Sequence, residues 1–200
     1  MPAPGSRPPP LLLALLLAFT AFLALLLAQS LAPKRVATFT PSHPGPDGRW
    51  HRSAPDAADT VTVDARDEDA WRFVDLDRGA LLAPPDTAGW DLAIRRFRII
   101  VGDAVADLGP VAFDAVAVAP ERGYVPTRFA NDTTNPAIEH WYRYGFLSHV
   151  LRPGGRVYVV RTDAGSYAKL EILSYYCPGP VAGCLTFRYA PLPAGAGRPR

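Results

Sequence analysis

The pattern of apolar and polar residues begins with a long apolar run near the N-terminus. Residues 11–28 are apolar except for Thr20, and a run of about 20 residues can cross a bilayer as a helix. The apolar part of a cleaved signal peptide is shorter, about 7–15 residues. Ala28 and Ser30 would nevertheless suit a cleavage site. Residues 1–32 are therefore predicted to be a signal peptide or an N-terminal membrane anchor, and the length favours the anchor.

A polar segment follows the apolar run. Residues 33–58 are rich in Pro, Gly, Asp and His and show no apolar period, which is typical of a linker. We therefore expect a flexible linker over residues 33–58 and a folded domain over residues 59–191. The last residues, 192–200, are predicted to be a disordered tail.

Short β-type runs separated by turn residues fill the first part of the predicted domain. The clearest runs are residues 60–64, 71–76 and 90–94. Two-residue alternation of this kind indicates strands with one buried face. After Arg95 and Arg96, the apolar Phe97 and Ile99 resume the alternation in the opposite phase, which indicates a bulge or a bend.

Alternation is most regular in the C-terminal third. Strands are predicted over residues 156–161, 167–173 and 185–189. In the second of these, Ala168, Leu170 and Ile172 share one face, which is the pattern of a half-buried antiparallel strand. Short loops join the three strands, so we expect a meander.

One short helix is predicted near residues 135–141. Asn135 can cap its free amides, and Pro136 suits the first helical position because its missing N–H would have no partner there. The predicted fold class is all-β: a mainly antiparallel sheet with a C-terminal meander and a short helix, plus the N-terminal hydrophobic helix.

Charge and motifs narrow the classes of function. The 21 basic and 19 acidic residues give a net charge of +2, which is too balanced for the basic field of a nucleic-acid-binding protein. There is no phosphate-binding glycine loop and no HExxH pattern. Ser148 adjoins His149, but neighbouring side chains on a strand diverge, and no orienting acid is identified. We therefore predict no nucleic-acid partner and no catalytic residues.

Two cysteines, Cys177 and Cys184, lie in the second turn of the predicted meander. Facing strand ends bring two thiols close enough to bond, so a disulfide is predicted in an oxidising compartment. Free structural thiols are the alternative, since a structural zinc site needs four ligands. No cysteine lies near the apolar run, which argues against a bacterial lipid anchor.

The domain contains a set of recognisable motifs around its tryptophans and its last hairpins. They are WRFVDL at residues 71–76, WDLAI at 90–94, WYRY at 141–144, His149, and the stretch of residues 157–176. Together they resemble the HmuY family of bacterial haem-binding proteins over roughly residues 60–190, and residues 161–176 are the most specific part. The resemblance implies an all-β domain, displayed at the cell surface or released, which captures haem and passes it to a transporter. Members are often lipoproteins, whereas this chain lacks the lipidated cysteine.

A haem site needs axial donors, and histidine is the usual one, with Met or Tyr as alternatives. Met1 is the only methionine and precedes the apolar run, while His43 and His51 lie in the predicted linker. The predicted iron ligands are therefore His149, as the first choice, and His140.

Each of these two histidines has a structural alternative as a hydrogen-bonded residue among aromatic side chains. A separation of nine residues also places His140 and His149 on opposite faces of a regular helix or strand. They could meet at one iron only if the chain bends between them, and Gly145 makes such a bend possible.

Arg95, Arg96 and Arg98 form the densest basic cluster and could hold haem propionates, with a solvated strand face as the alternative. The first functional hypothesis is an exported, non-enzymatic protein that captures, transfers or stores haem for iron acquisition. Its partners would be haem, the membrane, and an outer-membrane haem transporter or a host haemoprotein, in the periplasm or at the cell surface. The second hypothesis is an exported β-domain that serves as an envelope or protein-interaction module without a cofactor.

Overall fold

A computed structural model describes residues 9–31, 34–50, 57–83, 87–129 and 133–195. The chain divides into two compact units. The first consists of residues 1–34 together with 144–150, and the second of residues 35–143 and 151–200. Each unit is described separately below.

The first unit contains the predicted hydrophobic helix. Helix α1 spans Pro10–Leu31, and none of its residues is buried. Its 22 residues rise about 1.5 Å each, so the helix is about 33 Å long and matches a bilayer core of about 30 Å. Among the described residues, α1 is the one helix long and apolar enough to cross a membrane.

The structure confirms the all-β fold class. The described strands are β1 (Asp59–Asp64), β2 (Arg72–Asp75), β3 (Ala80–Leu82), β4 (Leu92–Arg95), β5 (Arg98–Val101), β6 (Ala104–Asp107), β7 (Val125–Pro126), β8 (Tyr142–Gly145), β9 (Val150–Pro153), β10 (Val157–Arg161), β11 (Tyr167–Cys177) and β12 (Val181–Leu192). One sheet has the order β1-β12-β11-β10-β6-β7 and a second has the order β3-β2-β4-β5. Strands β8 and β9 form a two-stranded hairpin, whose tip is residues 144–150.

The predicted meander is formed by β10, β11 and β12, which pair antiparallel in sequence order. Along β11 the buried Leu170 and Ile172 alternate with the half-buried Lys169 and Glu171, as the alternation of the sequence requires. The largest fully buried side chains are aromatic and aliphatic residues from all parts of the second unit: Trp141, Tyr158, Tyr189, Phe113, Phe187 and Leu92. This core holds the sheets together.

The change of phase at Arg95 and Arg96 comes from a tight turn. Arg95 of β4 pairs with Arg98 of β5, so Arg96 and Phe97 form a two-residue hairpin loop rather than a bulge within one strand. Arg96 has a φ of 53°, the positive value that the first residue of such a loop needs. Phe97 thereby lies at the tip of the loop.

The short helix predicted near residues 135–141 is wrong, because the chain makes a single hydrogen-bonded turn there. The carbonyl of Asn135 accepts bonds from the amides of Ile138 and Glu139, and its side chain accepts one from Ala137 N at 3.0 Å. Asn135 thus caps the turn as predicted. Since β8 begins at Tyr142, no room remains for a second helical turn. The short helix among the described residues is instead a 3-10 helix at Phe113–Ala115.

Residues 34–50 of the predicted linker pack on the β-structure. Phe39 N donates to Tyr176 O at 2.9 Å, and Ser42 N donates to Thr62 O at 2.8 Å. Trp50 is buried. Main-chain pairing of this kind needs no apolar period, so composition alone could not reveal it. Residues 33 and 51–56 of the predicted linker lie outside the described residues.

At the other end, ordered structure continues beyond residue 191. Leu192 is buried and pairs with Tyr167, and Pro193 O accepts a bond from Ala119 N at 3.0 Å. Residues 196–200 of the predicted tail lie outside the described residues. The predicted disulfide is present between Cys177 and Cys184, whose Cα atoms are 5.0 Å apart.

Candidate functional site

A cavity of about 360 Å³ lies beside the turn that carries His140. Its volume falls at the lower end of the range for small-molecule sites, about 300–1,000 Å³. Its lining combines aromatic, aliphatic, hydroxyl and charged side chains: Phe97, Arg98, Ile99, Thr133, Thr134, Glu139, His140 and Tyr142. All of these residues belong to the second unit.

Trp141 holds the aromatic wall of this cavity in place. Its indole is 1% exposed, and its Nε1–H donates to the carbonyl of Phe97 at 2.9 Å. The rings of Phe97 and Tyr142 meet edge to face, with centroids 5.7 Å apart. Because the indole is buried and bonded to the β4–β5 loop, the wall is preformed rather than assembled by a ligand.

His140 lies on the rim of the cavity. Its side chain is 86% exposed, and its Nδ1 lies 3.5 Å from Glu139 Oε1. The turn beneath it is rigid, because the buried Asn135 donates from Nδ2 to Val125 O at 3.0 Å in addition to capping the turn. The imidazole is therefore an accessible nitrogen donor on a fixed piece of backbone.

His149 lies at the tip of the β8–β9 hairpin, in the first unit. It is exposed, and it has a φ of 51°, in the left-handed region where histidine is enriched. Its Nδ1 is hydrogen-bonded to the Tyr144 hydroxyl at 2.5 Å. Such a bond is the usual means of orienting a metal-binding imidazole, whose other nitrogen then faces the ligand. His140 and His149 lie in different units, so each is described only in its own surroundings.

The three arginines predicted for propionates have different environments. Arg98 is exposed and lines the cavity with His140. Arg95 lies over the ring of Trp71, 4.6 Å from its centroid. Arg96 donates to Arg66 O at 3.2 Å and lies near a glutamate. The cavity therefore brings together Arg98, one of the three arginines, and His140, one of the two predicted iron ligands.

Sequence reasoning did not identify several lining residues. Phe97, Thr133, Thr134 and Glu139 belong to no motif, and they meet only because the β4–β5 loop packs against the turn after Asn135. The sequence signal that could have indicated the site is Phe97, an aromatic residue in a two-residue turn. A single sequence does not show whether such a residue lines a site or is ordinary surface.

A buried hydroxyl lies close behind the aromatic wall. Tyr175 is 2% exposed, and its ring centroid lies 6.0 Å from that of Trp141. Its hydroxyl has no hydrogen-bond partner among the described residues, and burial raises the pKa of Tyr175. Tyr175 is therefore a packing residue of the core behind the wall.

The cavity's residues fit part of a haem. An exposed imidazole is the usual axial donor, aromatic and aliphatic walls suit a porphyrin, and the guanidinium of Arg98 suits a propionate. His140, Arg98 and the Phe97 ring supply these three groups around one space.

An acidic cluster elsewhere in the second unit has a structural explanation. Carboxylate oxygens of Asp75, Asp77 and Asp91 lie within 4.8 Å of one another. Asp91 is 1% exposed and accepts bonds from Leu76 N at 2.7 Å and from Asp163 N at 2.8 Å. Burial raises the pKa of Asp91 to about 6, helped by the two neighbouring carboxylates. Asp91 thus joins the β2–β3 turn to the β10–β11 loop.

Comparison with known proteins gives a consistent family and fold. The sequence model of the HmuY family, described as HmuY protein, matches residues 67–189. No curated protein matches the chain.

Solved structures share the architecture at low sequence identity. A candidate lipoprotein from Bacteroides fragilis is 20% identical, with a TM-score of 0.59, and the match covers 70% of this chain and 91% of that one. The apo HmuY analogue of Tannerella forsythia is 19% identical, with a TM-score of 0.58, covering 68% and 96%. A candidate HmuY-like haem-binding protein from Bacteroides vulgatus is 20% identical, with a TM-score of 0.55, covering 66% and 91%. At such identities the likeness establishes the fold.

Proposed function

The chain belongs to the HmuY family, and on that premise we propose that it is an exported protein that binds haem for capture, transfer or storage. The observation that carries the proposal is the cavity where His140, Arg98 and an aromatic wall meet. A haem bound there would expose its iron to the imidazole and a propionate to the guanidinium. A structural neighbour described as a candidate HmuY-like haem-binding protein supports this assignment.

His149 is the proposed second axial ligand. It is exposed, and a hydrogen bond between its Nδ1 and the Tyr144 hydroxyl orients the ring. An imidazole oriented in this way leaves its other nitrogen available to an iron. In this proposal, His140 beside the preformed wall is one axial ligand and His149 on the hairpin is the other.

The proposed location is outside the cytoplasm, with α1 as a membrane anchor. Helix α1 has the length and composition of a span, and the Cys177–Cys184 disulfide suits an oxidising compartment. The similarity to a candidate lipoprotein agrees with a protein held at a membrane. An outer-membrane haem transporter or a host haemoprotein is the proposed exchange partner in iron acquisition.

The proposed role is binding without catalysis. Ser148, which adjoins His149, has its hydroxyl directed at Gly145 O at 3.5 Å, and the imidazole of His149 is bonded to Tyr144 instead. This arrangement does not pair the serine with a base. An exposed imidazole beside a preformed wall suits a carrier, because a carrier must release the haem that it binds.

Native mass spectrometry would test this proposal. Every described core residue lies between positions 50 and 192, and α1 buries none, so a fragment of residues 33–200 retains the whole core. We expect the fragment, mixed with haemin and desalted, to carry one haem per chain, and the variant with His140→Asn and His149→Asn to lose it. A folded fragment without haem would instead favour a cofactor-free envelope or interaction module.

A further inference from the structure

The tip of the β8–β9 hairpin is an exposed apolar surface. Tyr144, Phe146 and Leu147 are 53%, 78% and 51% exposed. Phe146 is the most exposed aromatic side chain among the residues that the structure describes. Three neighbouring side chains of this kind are costly in water, so the tip is a candidate contact surface.

The turn that presents these side chains is tight. A Cβ added to Gly145 would lie 2.5 Å from Ser148 Oγ, so a larger residue there would require the Ser148 side chain to rotate away. His149 closes the turn with a positive φ and is bonded to Tyr144. Tyr144 and Phe146 are both exposed on this turn.

Basic residues flank the apolar tip. Arg143 and Arg152 are exposed on the two strands of the hairpin, and Lys34 and Arg35 are exposed just after α1. An apolar tip with basic flanks is complementary to an anionic membrane, in which phosphates lie above the acyl chains.

The hairpin tip belongs to the same compact unit as α1, because residues 144–150 cluster with residues 1–34. Arg152 Nη1 donates to Arg35 O at 3.1 Å, and α1 ends at Leu31. Arg35 follows the end of α1 by four residues, which span at most about 14 Å.

We propose that the hairpin tip inserts into the headgroup region of the membrane that α1 anchors. Tyr144, Phe146 and Leu147 lie at the boundary between headgroups and acyl chains, where aromatic side chains are enriched. Arg143 and Arg152 lie at the level of the lipid phosphates. The inference rests on the membrane anchor in the proposed function, and its test is made without haem.

Site-specific fluorescence of the full chain in lipid nanodiscs would test this contact. A Phe146→Cys variant takes one environment-sensitive dye, because Cys177 and Cys184 are joined in a disulfide. The nanodiscs contain anionic lipid, with or without a lipid that carries a nitroxide near the top of its acyl chain. The matched control is Val118→Cys, another exposed apolar position, which is 55% exposed and lies in the second unit.

We expect a blue-shifted dye at position 146 and nitroxide quenching several-fold stronger there than at position 118. Equal quenching at the two positions, or none at 146, would overturn the inference. A blue shift without quenching would also overturn it, because the tip would then be covered by protein. Co-elution of the chain with the nanodiscs reports on the α1 anchor separately, so loss of the anchor and loss of the tip contact are distinguishable.

Discussion

Individual side chains of His140 and His149 can be removed with little effect on packing. Both are exposed, and asparagine tolerates the positive φ of position 149. We expect His149→Asn and His140→Asn each to weaken haemin binding and shift the Soret band, with stability changed by no more than about 0.5 kcal/mol. Haemin titration and thermal melting would measure both effects, and His43→Asn, at an exposed position, is the control. A lower melting temperature with an unchanged spectrum would mark a structural histidine.

Asp91 gives the stability a defined pH dependence. Burial raises the pKa of its carboxyl from 3.8 to about 6 in the folded protein, so the folded state binds a proton more tightly than the unfolded state. The free energy of unfolding should therefore fall as the pH rises from about 4 to about 6, by roughly 3 kcal/mol, and stay low above that.

Urea unfolding of the 33–200 fragment across this pH range would test the assignment. Asp91→Asn should remove the fall, because asparagine does not titrate. Asp67→Asn should leave the fall in place, since backbone hydrogen bonds lower the pKa of Asp67 and its titration lies at lower pH. An equal fall in the parental fragment and in Asp91→Asn would show that another group is responsible.

At the scale of the elements, two neighbouring tyrosines of β11, Tyr175 and Tyr176, provide a matched test of how β9 of the hairpin is attached to β11. Leu151 N in β9 donates to the hydroxyl of Tyr176 at 2.8 Å, whereas the buried hydroxyl of Tyr175 has no described partner. We expect Tyr176→Phe to destabilise the fragment by about 1–2 kcal/mol and to speed hydrogen exchange at Leu151. Tyr175→Phe should leave stability unchanged or raise it. The reverse order in urea unfolding would contradict this account of the hairpin.

The Cys177–Cys184 disulfide closes the β11–β12 turn. The two cysteines are seven residues apart, and so short a loop implies a stabilisation of about 2–3 kcal/mol. A variant with both cysteines replaced by alanine should lose this amount in urea unfolding, and reduction of the parental protein should have a similar effect. Two alkylatable thiols in freshly isolated native protein would contradict the bridge.

The elements that the sequence predicted well are those with one buried face and local turns. The alternation of β11 and the turn residues around it are contained in a few neighbouring positions, so the meander was predictable. The segment before Trp50 was not, because it joins the fold by main-chain bonds such as that from Phe39 to Tyr176. The turn after Asn135 retained its cap but was too close to β8 to become a helix.

At the scale of the whole molecule, the candidate site depends on long-range packing. His140 and Arg98 were each identified from the sequence, but their shared cavity exists because Trp141 bonds to the carbonyl of Phe97. No periodicity encodes that contact. The sequence motifs were nevertheless sufficient to identify the HmuY family, which the family match over residues 67–189 confirms.

The central claim is that this molecule holds haem through histidine, and a Soret titration of the 33–200 fragment with haemin tests it most directly. We predict a saturable shift of the band at one haemin per chain, absent from the variant with His140→Asn and His149→Asn. Circular dichroism of the same samples would show that both proteins are folded. A folded parental fragment whose added haemin keeps the spectrum of free haemin would contradict the account.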